Sequence, residues 1–324
     1  MNVLVIGGTL FIGRRLVARL LEQGHDVTVL HRKASHDLGS KVRNLVADRN
    51  DPAAMRAVLR NRSFDVVFDN VYDWQRGTTA AHVEATVRAC GPGLQRYVFM
   101  SSVAAYGEGL DHREEDDLAP EDHPEPYVRN KASSERMLFR LHREEGVPAV
   151  TLRPPFVYGP DNPFYREAFF WDRMRDGRPI IVPERGERWM QFVYVDDLIS
   201  VCLKVLEDSG SAGHAFNVAN PRPVTQLEAV SAMARAAGAE PELVFAPRRK
   251  ILEAGGRILG TNLYFGEYFD LPPITMRTEK AERMLGFRAT AFEEGLRRTY
   301  EWYKSQPPRQ PDYTFEDRLL ALLR

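Results

Sequence analysis

The sequence has few of the features that mark secreted, membrane-bound or metal-binding proteins. It contains two cysteines, Cys90 and Cys202, which lie far apart and form no CxxC pair. This spacing disfavours both a disulfide framework and a cysteine metal site. No apolar run approaches the length of a membrane span, and the start of the chain carries no basic, cleavable leader. We therefore expect a cytoplasmic protein without a membrane segment.

The chain also lacks an excess of charge of either sign. Its 44 basic and 45 acidic residues give a net charge of −1, which disfavours binding to nucleic acid or to a membrane surface. The eight histidines show no metal-ligand spacing, and the GK[ST], HExxH and GxSxG motifs are absent. These absences predict a small-molecule substrate and no metal.

The opening segment NVLVIGGTLFIG supplies the first positive signal. The unbroken apolar run Val3–Ile6 is typical of a strand buried in a parallel sheet, and Gly7 and Gly8 end it. Apolar residues at helical spacing then predict a helix from Phe11 to about residue 23. A strand, a glycine turn and a helix together form a seat for a dinucleotide pyrophosphate, although an ordinary tight turn has the same pattern.

Further strands are predicted over Asp26–Leu30, Val42–Ala47, Phe64–Asp69 and Arg96–Met100. Because helical patterns separate them, the chain is predicted to be a doubly wound α/β protein. After the second strand, His31, Arg32 and Lys33 stand where a carboxylate would bond the ribose of NAD. Basic residues there suit a 2′-phosphate, so we expect NADP, with NAD as the alternative. A solvated basic loop is the competing interpretation.

A second group of polar residues follows the fifth strand. Ser102 lies at its carboxyl end, where open α/β sheets bind ligands. Tyr127 and Lys131 are four residues apart on a predicted helix and therefore share one face. A nearby ammonium is expected to lower the pKa of the phenol and fit it for proton exchange. The charged loop 108–126 between these groups contains the run Arg113–Asp117, which is assigned no chemistry and is expected to be a solvated face or a mobile edge of the substrate cleft.

The motifs GGTLFIG, SSVAAYG, YVRNK, LRPPFVYGP, FVYVDDL, FNVANP and TEKAERMLGF occur in the order typical of one family. In this respect the chain resembles the extended short-chain dehydrogenases/reductases, the group of NAD-dependent epimerases and dehydratases. The resemblance implies a Rossmann doubly wound parallel sheet with seven strands, and a smaller C-terminal substrate lobe. It assigns 1–160, with 190–222 returning, to the first domain, and 161–189 with 223–324 to the lobe. It also implies a homodimer.

The same resemblance implies a catalytic set of Ser102, Tyr127 and Lys131, in which Tyr127 is the general acid or base. The cofactor contacts that it implies are Gly7, Gly8, Thr9, Leu10, Phe11, Ile12, Gly13, Arg32, Asp48, Tyr127 and Lys131. Among these, Asp48 would bond the adenine amine and Lys131 the nicotinamide ribose. Leu10 departs from the family pattern, because the middle glycine of the fingerprint usually stands there.

The substrate side departs further from the nucleotide-sugar enzymes of this family. Phe156 replaces an asparagine that contacts the sugar diphosphate, Met190 replaces a phosphate-binding arginine, and Glu267 is loosely aligned with another arginine. Loss of these charge-assisted contacts disfavours a diphosphate. A neighbouring cation, Arg185 or Arg188, is the alternative phosphate ligand, and simple repacking of the lobe is the competing explanation.

Three functional hypotheses follow. The first is an NAD(P)-dependent oxidoreductase that transfers hydride at a secondary alcohol or ketone of a sugar-like or small polar substrate. The second is a nucleotide-sugar 4-epimerase with tightly bound NAD. The third is a non-catalytic NADP-binding protein with a regulatory or RNA-associated role. Separately, the leucine-rich segment 313–324 predicts a short helix that docks on the body of the subunit or on a partner.

Overall fold

The computed structural model describes residues 1–323. The strands are β1 Asn2–Ile6, β2 Asp26–His31, β3 Arg43–Val46, β4 Val66–Asp69, β5 Arg96–Met100, β6 Gly109–His112, β7 Ala149–Arg153, β8 Phe156–Tyr158, β9 Ile180–Pro183, β10 Trp189–Met190, β11 Phe192–Tyr194, β12 Ala215–Asn217, β13 Val224–Thr225, β14 Leu243–Ala246 and β15 Ile274–Met276. The helices are α1 Phe11–Glu22, α2 Pro52–Leu59, α3 Ala80–Ala89, α4 Pro126–Glu145, α5 Glu167–Arg175, α6 Val195–Glu207, α7 Gln226–Ala237, α8 Arg248–Glu253, α9 Glu279–Leu285, α10 Phe292–Ser305 and α11 Thr314–Leu323.

Seven parallel strands form the central sheet in the order β12-β7-β5-β4-β1-β2-β3. Alternate residues of β1 face opposite sides of this sheet. Val3 and Val5 pack in the layer that contains α1 and α6, whereas Leu4 and Ile6 pack towards α2, α3 and α4. Both faces are covered, which explains why the strand is continuously apolar. The predicted Rossmann doubly wound sheet is confirmed.

The predicted elements of this domain are confirmed with small differences at their ends. The first helix ends at Glu22, and Gln23 follows it as the cap. The strand predicted over Val42–Ala47 is shorter and spans Arg43–Val46. The fifth strand has the predicted bounds Arg96–Met100. The strand β12 supplies the seventh parallel strand, while the domain boundaries drawn along the chain stay predictions.

Smaller two-stranded sheets and helices build the remainder of the molecule. β8 pairs with β11, β9 with β14, β10 with β13 and β6 with β15. A core rich in aromatic side chains joins several of these elements with α5, α7 and α10. The terminal helix α11 packs into this same core through Phe315 and Leu319, and Glu316 forms a buried ion pair with Arg173 at 2.7 Å. Docking within the subunit is thus confirmed for the described part of the segment, which excludes residue 324.

The charged loop 108–126 is more ordered than the sequence suggests. Part of it is the strand β6, which pairs in parallel with β15. A Glu114 carboxylate oxygen accepts a hydrogen bond from the backbone amide of Asn217 at 2.9 Å, and burial raises the pKa of Glu114. The expected solvated face holds for Arg113 and for Glu115–Asp117, which are exposed, but not for Glu114, whose carboxylate bonds the end of the central sheet.

The sequence disfavours a membrane span, a metal site and a disulfide, and each of these features can be checked in residues 1–323. No helix in this range is both long and apolar enough to cross a membrane. The same range contains no cluster of His, Cys, Asp and Glu side chains arranged to hold a metal ion. Cys90 and Cys202 are both buried and unpaired by any disulfide, and burial raises the pKa of each thiol to about 12.

Candidate active site

The glycine turn between β1 and α1 brings the start of the helix close to the end of the strand. Gly7 has a φ of +82°, in the left-handed region that glycine tolerates. A Cβ on Gly13 would lie 2.0 Å from the carbonyl oxygen of Gly7, so the helix can approach this closely only with glycine at that position. Gly8 is buried against Val29 and Val17. The turn therefore has the tight backbone geometry that the sequence predicts.

The other residues of the turn, Thr9 to Ile12, lead into the start of α1. Leu10 is the N-cap of α1, and its side chain is 70 % exposed. Phe11 has a φ of +36° and is buried, while Thr9 and Ile12 are only partly buried. Because the first-turn amides of a helix have no intrahelical acceptor, these N–H groups are available to an anion. The outward Leu10 side chain shows how a bulky residue is accommodated here.

Asn70 provides a second indication that a polar group belongs beside this turn. It directly follows β4, and its backbone lies 3.8 Å from the position that a Cβ on Gly7 would take. The Oδ1 and Nδ2 atoms of Asn70 are buried without a hydrogen-bond partner in residues 1–323. Such orphaned polar atoms require a partner. The turn, the helix N-terminus and Asn70 together fit the polar diphosphate and ribose groups of a dinucleotide.

Charged side chains lie at the end of the cleft predicted to hold the adenosine. Arg32 is 71 % exposed, and the carboxylate of Asp73 is 3.9 Å from it. Arg76 donates hydrogen bonds at 2.6 Å to both Asp48 and Asp73. Hydrogen bonds from the Arg76 backbone amide and guanidinium hold the pKa of Asp73 down at about 2. Arg76 thus binds the two carboxylates nearest Arg32.

The helix α4 brings the predicted proton-transfer residues to the carboxyl end of β5. Tyr127 lies in its first turn, and Ser102 directly precedes a short 3₁₀ helix over Val103–Tyr106. The preceding Ser101 is buried and donates to the Glu135 carboxylate, so it serves the fold. The Ser102 hydroxyl oxygen instead accepts a hydrogen bond from the Ala104 backbone amide at 3.2 Å, and its proximity to Tyr127 lowers the pKa of the phenol.

The pKa of Tyr127 differs from the sequence-based expectation. Burial raises it above its ordinary value, and the contact with Ser102 offsets only part of that rise. The Lys131 ammonium lies 5.7 Å from the centroid of the Tyr127 ring and donates a hydrogen bond to the carbonyl of Met100 at 2.6 Å. Burial also lowers the pKa of Lys131 to about 8. The expectation of a lowered phenol pKa is therefore wrong for this state.

An aromatic cluster that the sequence analysis did not identify covers Tyr127. Trp74 stacks on the phenol with ring centroids 4.7 Å apart, and Tyr72 packs edge-on at the same distance. Tyr268 extends the stack from the far side of Trp74 at 6.2 Å. Because Tyr72 and Trp74 follow the carboxyl end of β4, the strand-end rule could have identified them; Tyr268 carried no comparable signal.

The residues that depart from the nucleotide-sugar pattern belong to an apolar region. Met190 is buried, and the Phe156 ring packs against Phe269 with centroids 5.1 Å apart. Arg188 donates to the backbone carbonyl and the carboxylate of Asp270, so part of its hydrogen-bonding capacity is used. Arg185 is 84 % exposed and points towards Glu187. The structure therefore supports repacking at Phe156 and Met190.

A sequence model of the NAD dependent epimerase/dehydratase family matches residues 3–219. This match covers the glycine turn, Ser102, Tyr127 and Lys131. The chain belongs to the NAD-dependent epimerase/dehydratase family. The prediction that the protein is an enzyme is thus confirmed at the level of the family, which is one of NAD-dependent enzymes.

Two proteins that are similar to this chain in sequence have different described roles. The chain is 30 % identical to chloroplast stem-loop binding protein of 41 kDa b from Arabidopsis thaliana, over 99 % of this chain and 84 % of that protein. It is 28 % identical to 2-alkyl-3-oxoalkanoate reductase from Stenotrophomonas maltophilia, over 74 % of this chain and 76 % of that protein.

Solved structures of epimerase/dehydratase enzymes share the fold. The dTDP-glucose 4,6-dehydratase from Bacillus anthracis, in complex with NAD, aligns with a TM-score of 0.76 and 18 % identity over 94 % of this chain and 97 % of that one. The UDP-glucuronic acid 4-epimerase from Bacillus cereus, also with NAD, aligns with a TM-score of 0.73 and 20 % identity over 94 % and 99 %. At this identity the similarity concerns the fold.

Proposed function

We propose that this epimerase/dehydratase family member is an NADP-preferring oxidoreductase that transfers hydride at a secondary alcohol or ketone of a small substrate. The observation that carries the proposal is the grouping of Ser102, Tyr127 and Lys131 at the carboxyl end of β5. It lies beside a glycine turn that fits a dinucleotide. A bound nicotinamide would supply the hydride chemistry at its C4 atom.

The protein side chains transfer the proton and orient the substrate. The raised pKa of Tyr127 keeps its hydroxyl protonated at neutral pH, so this group can donate a proton to a substrate oxygen during reduction. Ser102 adjoins that hydroxyl and can donate to the same oxygen. Lys131 is anchored by the Met100 carbonyl and is proposed to hold the nicotinamide ribose. Trp74 shields the face of the Tyr127 ring from water.

The preference for NADP rests on the charges around Arg32. No carboxylate follows β2 at positions 31–33, and Arg32 is largely exposed beside the predicted ribose position. Arg76 holds Asp48 and Asp73 in ion pairs, which reduces their repulsion of a 2′-phosphate. Arg32 is thereby available for a charge-assisted hydrogen bond to that phosphate. Asp48 retains lone pairs for the adenine amine, as proposed from the family pattern.

Substituting Arg32→Ala is expected to reduce the preference for NADPH over NADH by about 10- to 100-fold, the value of one charge-assisted hydrogen bond. The two dissociation constants would be measured by fluorescence titration. Arg60→Ala, which removes an exposed arginine at the end of α2, is the control and should leave the ratio unchanged. An unchanged ratio in Arg32→Ala would contradict the assignment of the 2′-phosphate site.

The 4-epimerase alternative is supported by the fold shared with nucleotide-sugar enzymes. It is disfavoured by the apolar packing of Phe156 and Met190, where a diphosphate would have to be desolvated. The non-catalytic, RNA-associated alternative has the stem-loop binding relative in its favour. The net charge of −1 and the grouped Ser102, Tyr127 and Lys131 count against it. A homodimer and a cytoplasmic location stay predictions.

A further inference from the structure

Arg166 is a buried cation that forms no ion pair within residues 1–323. Arg166 is 9 % exposed, and its Nε atom donates a hydrogen bond to the backbone carbonyl of Glu267 at 3.2 Å. Within residues 1–323, neither Nη atom of Arg166 has a hydrogen-bond acceptor, and no carboxylate forms an ion pair with the guanidinium. The charges of Glu167 and Glu267 act on Arg166 without forming an ion pair with it, so its Nη donors are available to an anionic ligand.

Aromatic rings hold the guanidinium of Arg166 and connect it to the proposed proton-transfer site. The Cζ atom lies 4.3 Å from the ring centroid of Phe164 and 5.0 Å from that of Phe156. Phe164 packs on Tyr268 with centroids 6.2 Å apart, and Tyr268 stacks on Trp74, which covers Tyr127. The positive charge of Arg166 acts on the Tyr127 hydroxyl and lowers its pKa. The two groups are therefore connected by one row of aromatic rings, which lines the proposed cleft.

Two other arginines in this part of the molecule form close ion pairs. Arg173 pairs with Glu316 at 2.7 Å, and Arg248 pairs with Asp270 at 2.7 Å. Glu167, next to Arg166 in the chain, is buried, and one of its carboxylate oxygens accepts from Asn162 at 3.0 Å. Burial raises the pKa of Glu167 to about 7. The charges of Glu167 and Glu267 both act on Arg166, so the region offers at most one positive charge, which suits a monoanion better than a diphosphate.

We propose that this cleft binds a small organic carboxylate, whose carboxylate group accepts hydrogen bonds from the Nη atoms of Arg166. The apolar or aromatic part of the ligand packs on Trp74, Phe164 and Tyr268. A carbonyl or hydroxyl group elsewhere in the ligand reaches Tyr127. The substrate class is therefore an oxo or hydroxy acid with an apolar part. This inference rests on the proposed oxidoreductase function and names the substrate of that site.

The test compares an acid with its neutral ester. The wild-type protein, saturated with NADP⁺ so that no reduction occurs, is titrated calorimetrically with 3-benzoylpropanoate and with its methyl ester. We expect the acid to bind at least about 10-fold more tightly than the ester, because only the acid forms a charge-assisted pair. UDP-glucose is titrated in parallel and is expected to bind more weakly than the acid.

Two variants at Arg166 and one control complete the design. Arg166→Met should abolish the preference for the acid while leaving ester binding within about threefold, whereas Arg166→Lys should retain part of the preference. Arg249→Met removes an exposed arginine on α8 and should change the affinity for neither ligand. If Arg166→Met does not fold, the Arg166→Lys result and the wild-type ratio of acid to ester affinity decide whether Arg166 binds the carboxylate.

Several outcomes would overturn the proposal. They are undetectable binding of the acid, equal binding of acid and ester, an acid preference that survives in folded Arg166→Met, and tighter binding of UDP-glucose. None of these outcomes touches the proposed cofactor preference, because binding of NADPH and its dependence on Arg32 are measured without the carboxylate. Failure of the substrate inference and failure of the oxidoreductase proposal are therefore distinguishable.

Discussion

Replacing Tyr127 by phenylalanine is expected to lower kcat/KM for reduction of an oxo substrate by about 10²- to 10⁴-fold, the usual contribution of a general acid. The substitution removes one hydroxyl from a ring that Trp74 and Tyr72 already hold in place. Packing should therefore survive while the proton donor is lost. The measurement is the initial rate of NADPH oxidation, with the dissociation constant for NADPH measured alongside it to separate the loss of the proton donor from any loss of cofactor binding.

The matched control for this variant is Tyr300→Phe. Tyr300 lies on α10, where its ring packs against Trp171 and Tyr303, away from Ser102 and Tyr127. Removal of its hydroxyl should leave the rate of NADPH oxidation within a factor of about two. Full activity in Tyr127→Phe would show that another group supplies the proton. An equal loss in both variants would indicate a general effect on folding.

Substituting Glu135→Leu is expected to reduce the free energy of unfolding by about 3–5 kcal/mol, as is typical when one partner of a buried ion pair is removed. Glu135 is fully buried on α4, and its carboxylate pairs with Arg153 on β7 at 2.8 Å. Thr151 also donates to Glu135 at 2.8 Å. The substitution leaves the Arg153 guanidinium buried without its carboxylate. Denaturant unfolding followed by circular dichroism measures the loss.

The comparison for Glu135→Leu is Glu84→Leu, which breaks a surface ion pair between Glu84 and Arg88 on α3. Exposed pairs of this kind contribute little, so this variant should lose much less stability than Glu135→Leu. Since α4 also carries Tyr127 and Lys131, the Glu135 variant should lose activity in parallel with stability. Equal, small losses in the two variants would show that the buried pair does not hold α4 against the sheet.

The sequence predicted the parts of the site that depend on strand ends and local backbone geometry. Apolar periodicity placed β1 and β5. Because the carboxyl ends of parallel strands meet at one edge of the sheet, the sequence alone could place the glycine turn and Ser102 at that edge. Helical spacing placed Tyr127 and Lys131 on one face of α4. These inferences require only the periodicity of single elements.

The features that the sequence missed depend on tertiary contacts. Arg166 has no local signal, because its significance comes from burial among Phe156, Phe164 and Phe269 and from the lack of an ion pair in the described part of the chain, residues 1–323. The pKa of Tyr127 was predicted in the wrong direction for a similar reason. Spacing showed that Lys131 is near, but only the structure showed that desolvation outweighs the effect of neighbouring charge.

The most direct test of the proposed function is native mass spectrometry of the purified protein, recorded before and after addition of an equimolar mixture of NADP⁺ and NAD⁺. An oxidoreductase that releases its cofactor on every turnover should carry no stoichiometric NAD at purification. It should then take up NADP⁺ in preference to NAD⁺ and lose it again on dilution. Stoichiometric NAD that resists exchange would contradict the proposal and favour the epimerase.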